Sequence, residues 1–416
     1  MIAPENDDLW TRLRAEFHLP PGQIYLDGNS LGLLSRRAED QLTACLQAWK
    51  QHGIGGWQTA GWIDLPERLA ARLEPLLCAA PRSVALTGQT TNNLHQLLAT
   101  LYDPTNTQRP VILADALNFA SDHHAISSHL QLRGRDPEQD LRLVGSVDGA
   151  TLTTADIVAA MTENVQVIVL PSVLYVSGQL LDLARITAEA RKRGILIGWD
   201  LSHSVGVVPH ELDANGADFA FWCNYKYLNA GPGAIGGLYL NQRHHDRAPG
   251  MAGWWGVQPD VRFNLEPHHT PAAGAARLQV GTPPILSLAP LAGSLDLFDE
   301  AGGISAIRER SLLLNARLLH RVITDLVPRG FELITPEAPH ERGGHLALRH
   351  PAAGQICPAL RERGIVPDYR HPAVLRLSPN AFYTAPDEVD EAVDRLIEIM
   401  ETRAYENFPR VETAAP

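Results

Sequence analysis

Short apolar runs alternate with amphipathic stretches through the middle of the chain. The runs lack polar alternation, which is typical of strands buried on both faces; they are PVILADA (110–116), LRLVGSV (141–147), VQVIVLPSV (165–173), GILIGWD (194–200), ADFAFWCN (217–224) and AIGGLYL (234–240). Helical spacing fills two of the intervals, at 153–163 with Thr154 as the expected N-cap and at 182–194. The pattern predicts an α/β fold with a mostly parallel central sheet that helices cover on both faces.

The two ends of the chain carry different patterns. Before residue 103 we predict helices at 1–20, 35–52 and 67–77 and a short strand entering a polar turn at 23–32. A strand–turn–helix unit is predicted at 83–102. The last third has long amphipathic helices at 311–327 and 387–408. Between them three stretches alternate like half-exposed strands, at 331–336, 345–350 and 373–379. This change of pattern predicts a second, smaller α+β domain that begins near residues 290–300.

Charge and cysteine usage remove several classes of protein. The 416-residue chain has a net charge of −12, which opposes binding to nucleic-acid phosphates but leaves room for one local anion site. No run approaches the ~18 apolar residues of a membrane span, and the N-terminus lacks the apolar segment of a signal peptide. The four cysteines lie far apart without a CxxC pair, so we expect free thiols in a cytoplasmic protein. The 17 histidines include no H-E-x-x-H pattern, so we expect no metal.

The stretch 194–240 carries the most informative chemistry. One predicted strand ends on Asp200, and the next ends just before Tyr225 and Lys226. Parallel strands deliver their last residues to the edge of the sheet where ligands bind. Pyridoxal 5′-phosphate needs a lysine for its aldehyde and a carboxylate for its pyridine nitrogen, so Lys226 and Asp200 are candidates for these roles. An acid that caps a turn and a lysine exposed to solvent would give the same sequence. The residues alone therefore leave both interpretations open.

A phosphate group would need a cradle of its own. LTGQTTNNLHQLL (86–98) places Thr90 and Thr91 just before an apolar helical run, where helix N–H groups and hydroxyls would face an anion. An ordinary threonine N-cap would produce the same pattern.

Two motif matches point elsewhere. GPGAIG (231–236) fits the dinucleotide pattern G-x-G-x-x-G, but it leads into a predicted strand rather than a helix. GNSLG (28–32) fits the nucleophile elbow of serine hydrolases, with Ser30 followed in the chain by Asp200 and His203. Only one predicted strand precedes Ser30, whereas the elbow needs several, so a serine hydrolase is a distant alternative.

Several segments taken together resemble the kynureninase family, in order and over nearly the whole chain. They are YLDGNSLGLL (25–34), TTNNLHQLL (90–98), FASDHHAI (119–126), SGQLLDL (177–183), GWDLSHSVG (198–206), FAFWCNYKYLNAGPGAIGG (219–237), GWWG (253–256), GTPPIL (281–286) and LRLSP (375–379). WCNYKYLNAGPG and the pair GNSLG/GTPPIL are specific to this family rather than to its fold. The resemblance implies a pyridoxal-phosphate enzyme with the aspartate-aminotransferase fold.

The resemblance also implies roles for individual residues. Lys226 would carry the cofactor and move protons, and Asp200 would pair with the pyridine nitrogen. Arg376 would bind the substrate α-carboxylate, which suits a bidentate guanidinium. The other implied cofactor contacts are Thr90, Thr91 and Tyr225 at the phosphate, Phe119 stacked on the ring, Asp122, Ser172 and His203 beside it, and Trp254 and Thr282 reaching in from the neighbouring subunit of a homodimer. Asn29, Ser30 and Trp57 would line the substrate site.

The implied reaction is the hydrolysis of L-kynurenine to anthranilate and L-alanine in tryptophan degradation. Trp57 and Thr282 match the members that prefer kynurenine over 3-hydroxykynurenine. The implied organisation is an N-terminal segment completing the small domain (1–55), a large cofactor-binding domain (56–295) and a small α+β domain (296–416). A class V aminotransferase or a cysteine desulfurase would share Asp200 and Lys226, and a non-catalytic binding protein would be expected to have lost one of them.

Overall fold

The computed structural model describes residues 7–409. Its strands, in chain order, are β1 (Ile24–Tyr25), β2 (Val84–Leu86), β3 (Val111–Asp115), β4 (Leu141–Val144), β5 (Val165–Pro171), β6 (Leu196–Asp200), β7 (Phe219–Cys223), β8 (Gly236–Leu240), β9 (Glu332–Leu333), β10 (Leu346–Arg349), β11 (Ile365–Val366), β12 (Asp368–Arg370) and β13 (Val374–Leu377). Its helices are α1 (Asp7–Ala15), α2 (Arg36–His52), α3 (Gly56–Thr59), α4 (Leu65–Leu73), α5 (Thr90–Leu101), α6 (Ala120–Leu132), α7 (Pro137–Asp140), α8 (Thr154–Ala159), α9 (Leu183–Lys192), α10 (Leu212–Asn215), α11 (Ile285–Glu300), α12 (Gly303–Arg321), α13 (Ala353–Glu362) and α14 (Pro386–Thr402).

The apolar runs in the middle of the chain form one seven-stranded sheet. Its strand order is β2-β8-β7-β6-β5-β3-β4, and every strand is parallel except β8, which runs antiparallel to β2 and β7. Every residue of β5 and β7 is buried, as unalternating runs require. The predicted mostly parallel sheet is confirmed.

Helices cover both faces of this sheet. Along β5, Val167 and Val169 belong to the same core as residues of α5 and α6, whereas Ile168 and Leu170 pack in the core that includes Ile186 of α9. Side chains alternate between the two faces of a strand, so one apolar run supplies both cores. The carboxyl ends of the strands are left free to form a ligand site.

The last third forms a smaller antiparallel sheet of order β12-β13-β10-β9. Leucines of β10 and β13 pack with α12, α13 and α14, whose contributions include Leu318, Ile356 and Val393. The prediction of half-exposed strands was wrong for β10, where three of four residues are buried, and for β13, where all four are buried. Its other face supplies Val374 to a small core with Ala150, and Arg376 to a buried ion pair.

The segment before residue 56 contacts both parts of the molecule. Strand β1 pairs in parallel with β11, and Asp27 forms a bridge to Ser378, while α2 packs along α11. This path carries residues 28–32 across the gap between the two sheets. The division into 1–55, 56–295 and 296–416 stays a prediction.

Some predicted elements differ from those in the structure. The N-cap of α8 is Thr153, not Thr154, because the Thr153 side chain accepts a hydrogen bond from the Asp156 N–H. The helix predicted over 1–20 covers Asp7–Ala15, and residues 1–6 lie outside the described part of the chain. Helices α6 and α11 were not predicted because neither has a clear apolar stripe, α11 being buried along most of its surface. Within residues 7–409, no helix is long and apolar enough to cross a membrane.

Candidate active site

A cavity of about 350 Å³ lies at the carboxyl ends of β5, β6 and β7, whose last residues Pro171, Asp200 and Cys223 line it. The starts of α5 and α6 and the turn after β1 complete its wall. Most of the predicted site residues meet here: Asn29, Ser30, Thr90, Thr91, Phe119, Asp122, Asp200, His203, Tyr225 and Lys226. Within the described part of the chain, histidine, cysteine and acidic side chains form no metal-binding group.

Lys226 and His203 form a hydrogen-bonded pair, with 2.8 Å between Lys226 Nζ and His203 Nε2. Burial lowers the pKa of Lys226, and burial together with the neighbouring Lys226 lowers the pKa of His203 well below its ordinary value. Both shifts favour the neutral forms. A neutral amine on a partly enclosed lysine is a nucleophile and a proton acceptor.

Asp122 and Asp200 line the cavity with this pair, and Asp115 interacts electrostatically with Asp200. Asp200 accepts a hydrogen bond from the Ser202 N–H at 2.8 Å, and burial raises its pKa. Burial, followed by the nearby Asp200, raises the pKa of Asp122 well above its ordinary value, and burial raises that of Asp115 to about 7. Asp122 Oδ2 is buried and has no hydrogen-bond partner among residues 7–409. Buried acids of this kind fit a ligand that brings a positive charge or a proton, such as a pyridinium nitrogen.

The opposite end of the cavity fits an anion. Helix α5 begins at Thr90, and the preceding Gln89 provides no side-chain cap, so backbone N–H groups of the first turn have no side-chain partner there. Thr91 Oγ1 lies 2.6 Å from Ser121 Oγ at the start of α6. A Cβ at Gly236 would lie 3.0 Å from the backbone carbon of Gln89, so glycine keeps this end open. The residues therefore fit pyridoxal phosphate, with a phosphate at α5 and a ring nitrogen at the acids.

Two aromatic residues border the middle of the cavity. Phe119 precedes α6 and meets the Tyr175 ring edge-on, with 5.5 Å between the ring centroids. Tyr225 precedes Lys226, and burial raises its pKa, so the phenol keeps its proton at neutral pH. Tyr225 is therefore placed to donate a hydrogen bond or a proton within the cavity.

The small sheet contributes a charged wall. Arg376 on β13 forms an ion pair with Asp368, its partner across the strands, and its Nη1 donates to the Tyr175 carbonyl at 2.6 Å. Arg370 Nε also donates to Asp368, at 3.1 Å. The Nη2 atoms of Arg376 and Arg370 lie 3.3 and 3.4 Å from Ser30 Oγ. Arg376 itself is fully buried, whereas Arg370 lines the cavity.

Sequence reasoning missed several residues of this wall and lining. They are Arg370, Asp368, Tyr175, Asn118, Ser121 and Cys223. The signal available for Arg370 was the charged triplet Asp-Tyr-Arg beside the LRLSP segment, which a hairpin would bring against Arg376. The sequence indicates the other five residues only weakly, because their place in the site depends on which turn residues reach the cavity.

Five predicted residues lie outside the cavity lining, and one of them is Arg376, which is buried within the small-sheet wall. Ser172 is behind the wall, where its hydroxyl donates to the Asp200 carbonyl at 3.0 Å and contacts Ser204 Oγ at 2.6 Å. Trp57 lies in an apolar cleft of about 410 Å³ with Trp62 and Ile285. Trp254 and Thr282 line two other surface clefts.

The structure argues against the alternative nucleophiles. Ser30 Oγ is near two guanidinium groups, and the Nε2 atom of His203 contacts Lys226, so Ser30, His203 and Asp200 do not form a hydrolase triad. GPGAIG leads into β8, as predicted, rather than into a helix. Cys357 is buried in α13, and burial raises its pKa to about 11, which opposes the thiolate that a desulfurase nucleophile needs.

Solved structures share this fold at low sequence identity. A mutant of the lyase C-DES, with glycine covalently linked to the PLP-cofactor, has a TM-score of 0.80 at 18% identity and covers 92% of this chain and 99% of its own. The cysteine desulfurase CsdA from Escherichia coli has a TM-score of 0.76 at 19% identity, covering 94% and 98%. The chain therefore has the type I fold of pyridoxal-phosphate enzymes.

Similarity of sequence narrows this class. The kynureninase C-terminal domain family matches residues 307–396. The kynureninase of Geobacillus thermodenitrificans is 48% identical over 97% of this chain and 94% of its own length. The kynureninase of Shouchella clausii is 45% identical over 96% and 94%. The chain belongs to the kynureninase family.

Proposed function

We propose that the protein is a pyridoxal-phosphate enzyme that hydrolyses L-kynurenine to anthranilate and L-alanine. The observation that carries the proposal is a single cavity in which a lysine and buried acids face a guanidinium wall, in a chain nearly half identical to named kynureninases along almost its whole length. The reaction adds one water: the Cβ–Cγ bond breaks, the hydroxyl goes to the carbonyl carbon and the β-carbon gains a proton.

Residues already gathered in the cavity would hold the cofactor. Thr90, Thr91 and Tyr225 would meet the phosphate, and Asp200, with Asp122 beside it, would meet the pyridine nitrogen. Phe119 would cover the ring face, His203 would border it, and Ser172 would act from behind by fixing the backbone of Asp200. When bound, pyridoxal phosphate supplies an electron sink that stabilises negative charge on the carbon next to the substrate nitrogen.

The protein's own groups would then bind the substrate and move protons. Lys226, held towards its neutral form, accepts the α-proton and returns protons, and His203 accepts or donates across their 2.8 Å contact. Tyr225, which keeps its proton, would donate it towards the β-carbon. Arg376 orients the α-carboxylate, and Asn29 and Ser30 border that end of the cavity.

Product analysis tests this proposal. The holoenzyme is incubated with L-kynurenine, and anthranilate fluorescence and alanine are measured together. We expect equal amounts of both without any keto acid. Dependence of the reaction on an added keto acid would indicate an aminotransferase, and release of sulfur from cysteine would indicate a desulfurase. Either result would contradict the proposal.

We also propose a homodimer whose partner supplies Trp254 and Thr282 to the phosphate region. Trp254 is 40% exposed and lies against Phe263, which is 62% exposed, so a sizeable aromatic surface faces outwards in one subunit. Light scattering should give twice the chain mass. Mixing Lys226→Ala and Trp254→Ala subunits should restore part of the activity, because one site of each hybrid dimer has both native residues. Separate sites within each subunit would give no recovery.

Trp57 and Thr282 support a further proposal, a preference for kynurenine over 3-hydroxykynurenine. We place the enzyme in cytoplasmic tryptophan degradation, in keeping with four cysteines that are free thiols.

A further inference from the structure

Two guanidinium groups share a single carboxylate at the small-sheet wall. Asp368 accepts from Arg376 Nε and from Arg370 Nε, and it is itself buried. The second carboxyl nearby is Asp27, whose pKa burial, and then the charge of Asp368, raises to about 6. Two guanidinium groups thus converge on one shared carboxylate, Asp368, with Asp27 as the next acid. Charged groups removed from water need partners, so a substrate anion reaching this wall would find two guanidinium groups that share a single direct carboxylate partner.

The two arginines differ in access. Arg376 is fully buried and commits its Nε and Nη1 to Asp368 and to the Tyr175 carbonyl. Arg370 has a side chain 26% exposed and lines the cavity. Both point an Nη2 atom at the same oxygen, Ser30 Oγ, at 3.3 and 3.4 Å. These are long hydrogen bonds to a neutral acceptor, in a place where two cations converge.

We propose that Arg370 is a second substrate-binding residue, which holds the α-carboxylate together with Arg376. This inference rests on the proposed function for the identity of the substrate. Arg376 supplies a fixed donor from inside the wall, and Arg370 supplies the donor that reaches the cavity. Asp368 is a positioning residue, which sets both guanidinium planes. A carboxylate near Ser30 would exchange the long contacts to a hydroxyl for charge-assisted bonds.

The alternative role for Arg370 is structural neutralisation of Asp368. The two roles differ in how they respond to the charge of the substrate. If Arg370 binds the carboxylate, its replacement weakens binding of an amino acid but has little effect on the corresponding amide. If it serves only Asp368, replacement affects both compounds equally.

The test compares L-kynurenine with L-kynurenine amide in Arg370→Gln, Arg370→Lys and the wild-type holoenzyme. For Arg370→Gln we expect KM for kynurenine to rise about tenfold to a hundredfold with a smaller change in kcat, and KM for the amide to change less than threefold. The KM of Arg370→Lys for kynurenine should lie between the values of the wild type and of Arg370→Gln. The matched control is Arg349→Gln, a partly exposed arginine of the same sheet paired with Glu332, which should leave both KM values unchanged. Equal losses for both compounds, or an unchanged KM for kynurenine, would overturn the proposal.

A binding measurement separates failure of this inference from failure of the proposed function. If the wild type makes no anthranilate, the proposed function fails, and calorimetric titration with L-alanine and L-alaninamide still examines Arg370. Wild type should bind alanine more tightly than its amide, and Arg370→Gln should reduce that ratio about tenfold. An unchanged ratio in a variant with wild-type thermal unfolding would contradict the role of Arg370.

Discussion

The two walls of the cavity handle charge in opposite ways. At the strand ends of the large sheet, burial lowers the pKa of Lys226 and raises that of Asp122, so these groups are pushed towards neutral forms. At the small sheet, Arg376 is fully buried but keeps its charge, because Asp368 pairs with it directly. Groups near neutrality can exchange protons, whereas a permanent charge can only hold an ion.

This difference divides the work between the two parts of the fold. The large sheet provides groups for proton transfer, and the small sheet provides groups that bind and orient the substrate. Variants of the first wall should therefore lower kcat, and variants of the second should raise KM.

The largest effect is expected for Lys226→Ala. Removing the amine removes both the covalent attachment point and the proton acceptor, so anthranilate formation should fall by at least about 10³-fold. The visible absorbance of the lysine-linked cofactor should disappear as well. Lys192→Ala is the control, since Lys192 is an exposed lysine paired with Glu189. Retention of both colour and activity in Lys226→Ala would contradict the role of the large-sheet wall in proton transfer.

The second effect is expected for Arg376→Gln. Loss of a buried, charge-assisted contact should raise KM for kynurenine about a hundredfold, while affinity for pyridoxal phosphate changes little. Titration of the cofactor and steady-state kinetics measure the two quantities on one preparation. Equal losses of cofactor and substrate affinity would show that this wall does not act on the substrate separately.

A smaller effect is expected at the surface clefts. Trp57→His combined with Thr282→Asn should raise the ratio of 3-hydroxykynurenine to kynurenine kcat/KM by roughly tenfold, because polar groups would then be available to the extra hydroxyl. Each single variant should give less. A constant ratio would remove Trp57 and Thr282 from the specificity account.

The smallest effect is on stability and concerns Asp27. Its folded-state pKa of about 6 lies above the ordinary 3.8, so the folded protein holds this proton more tightly than the unfolded chain does. Stability should therefore decline as the pH rises from about 4 to about 6. Asp27→Asn lacks this decline, so it should be more stable than wild type above pH 6 by about 1 to 3 kcal/mol and should lose that advantage at pH 4. Urea unfolding across this range, with the exposed Asp260→Asn as control, measures it; a pH-independent difference would contradict the assignment.

The two walls also differ in how far they can be predicted from sequence. Asp200, Tyr225 and Lys226 follow buried strands that are consecutive in the chain, so strand ends and sheet topology bring them together. The cluster of Ser30, Arg370 and Arg376 joins residues more than 300 positions apart through a turn and a short hairpin. The sequence shows only that Arg370 lies two residues after Asp368. Whether Arg370 reaches the cavity depends on how the two sheets pack together.

The same reasoning applies to the fold. The parallel sheet follows from runs such as 165–173, because an unalternating apolar run has few other stable environments. Helix α11 was missed because burial on most sides removes the amphipathic period that identifies a surface helix. The burial of β13 was missed because Arg376 looks like an exposed position until its partner Asp368 is known.

The division of labour is tested most directly by binding of L-kynurenine to a protein that cannot turn it over. Calorimetric titration of cofactor-loaded Lys226→Ala should give a dissociation constant within about threefold of the wild-type KM, and adding Arg376→Gln should weaken binding about a hundredfold. Equal binding by the single and double variants would contradict the account, because the charged wall would then not be what holds the substrate.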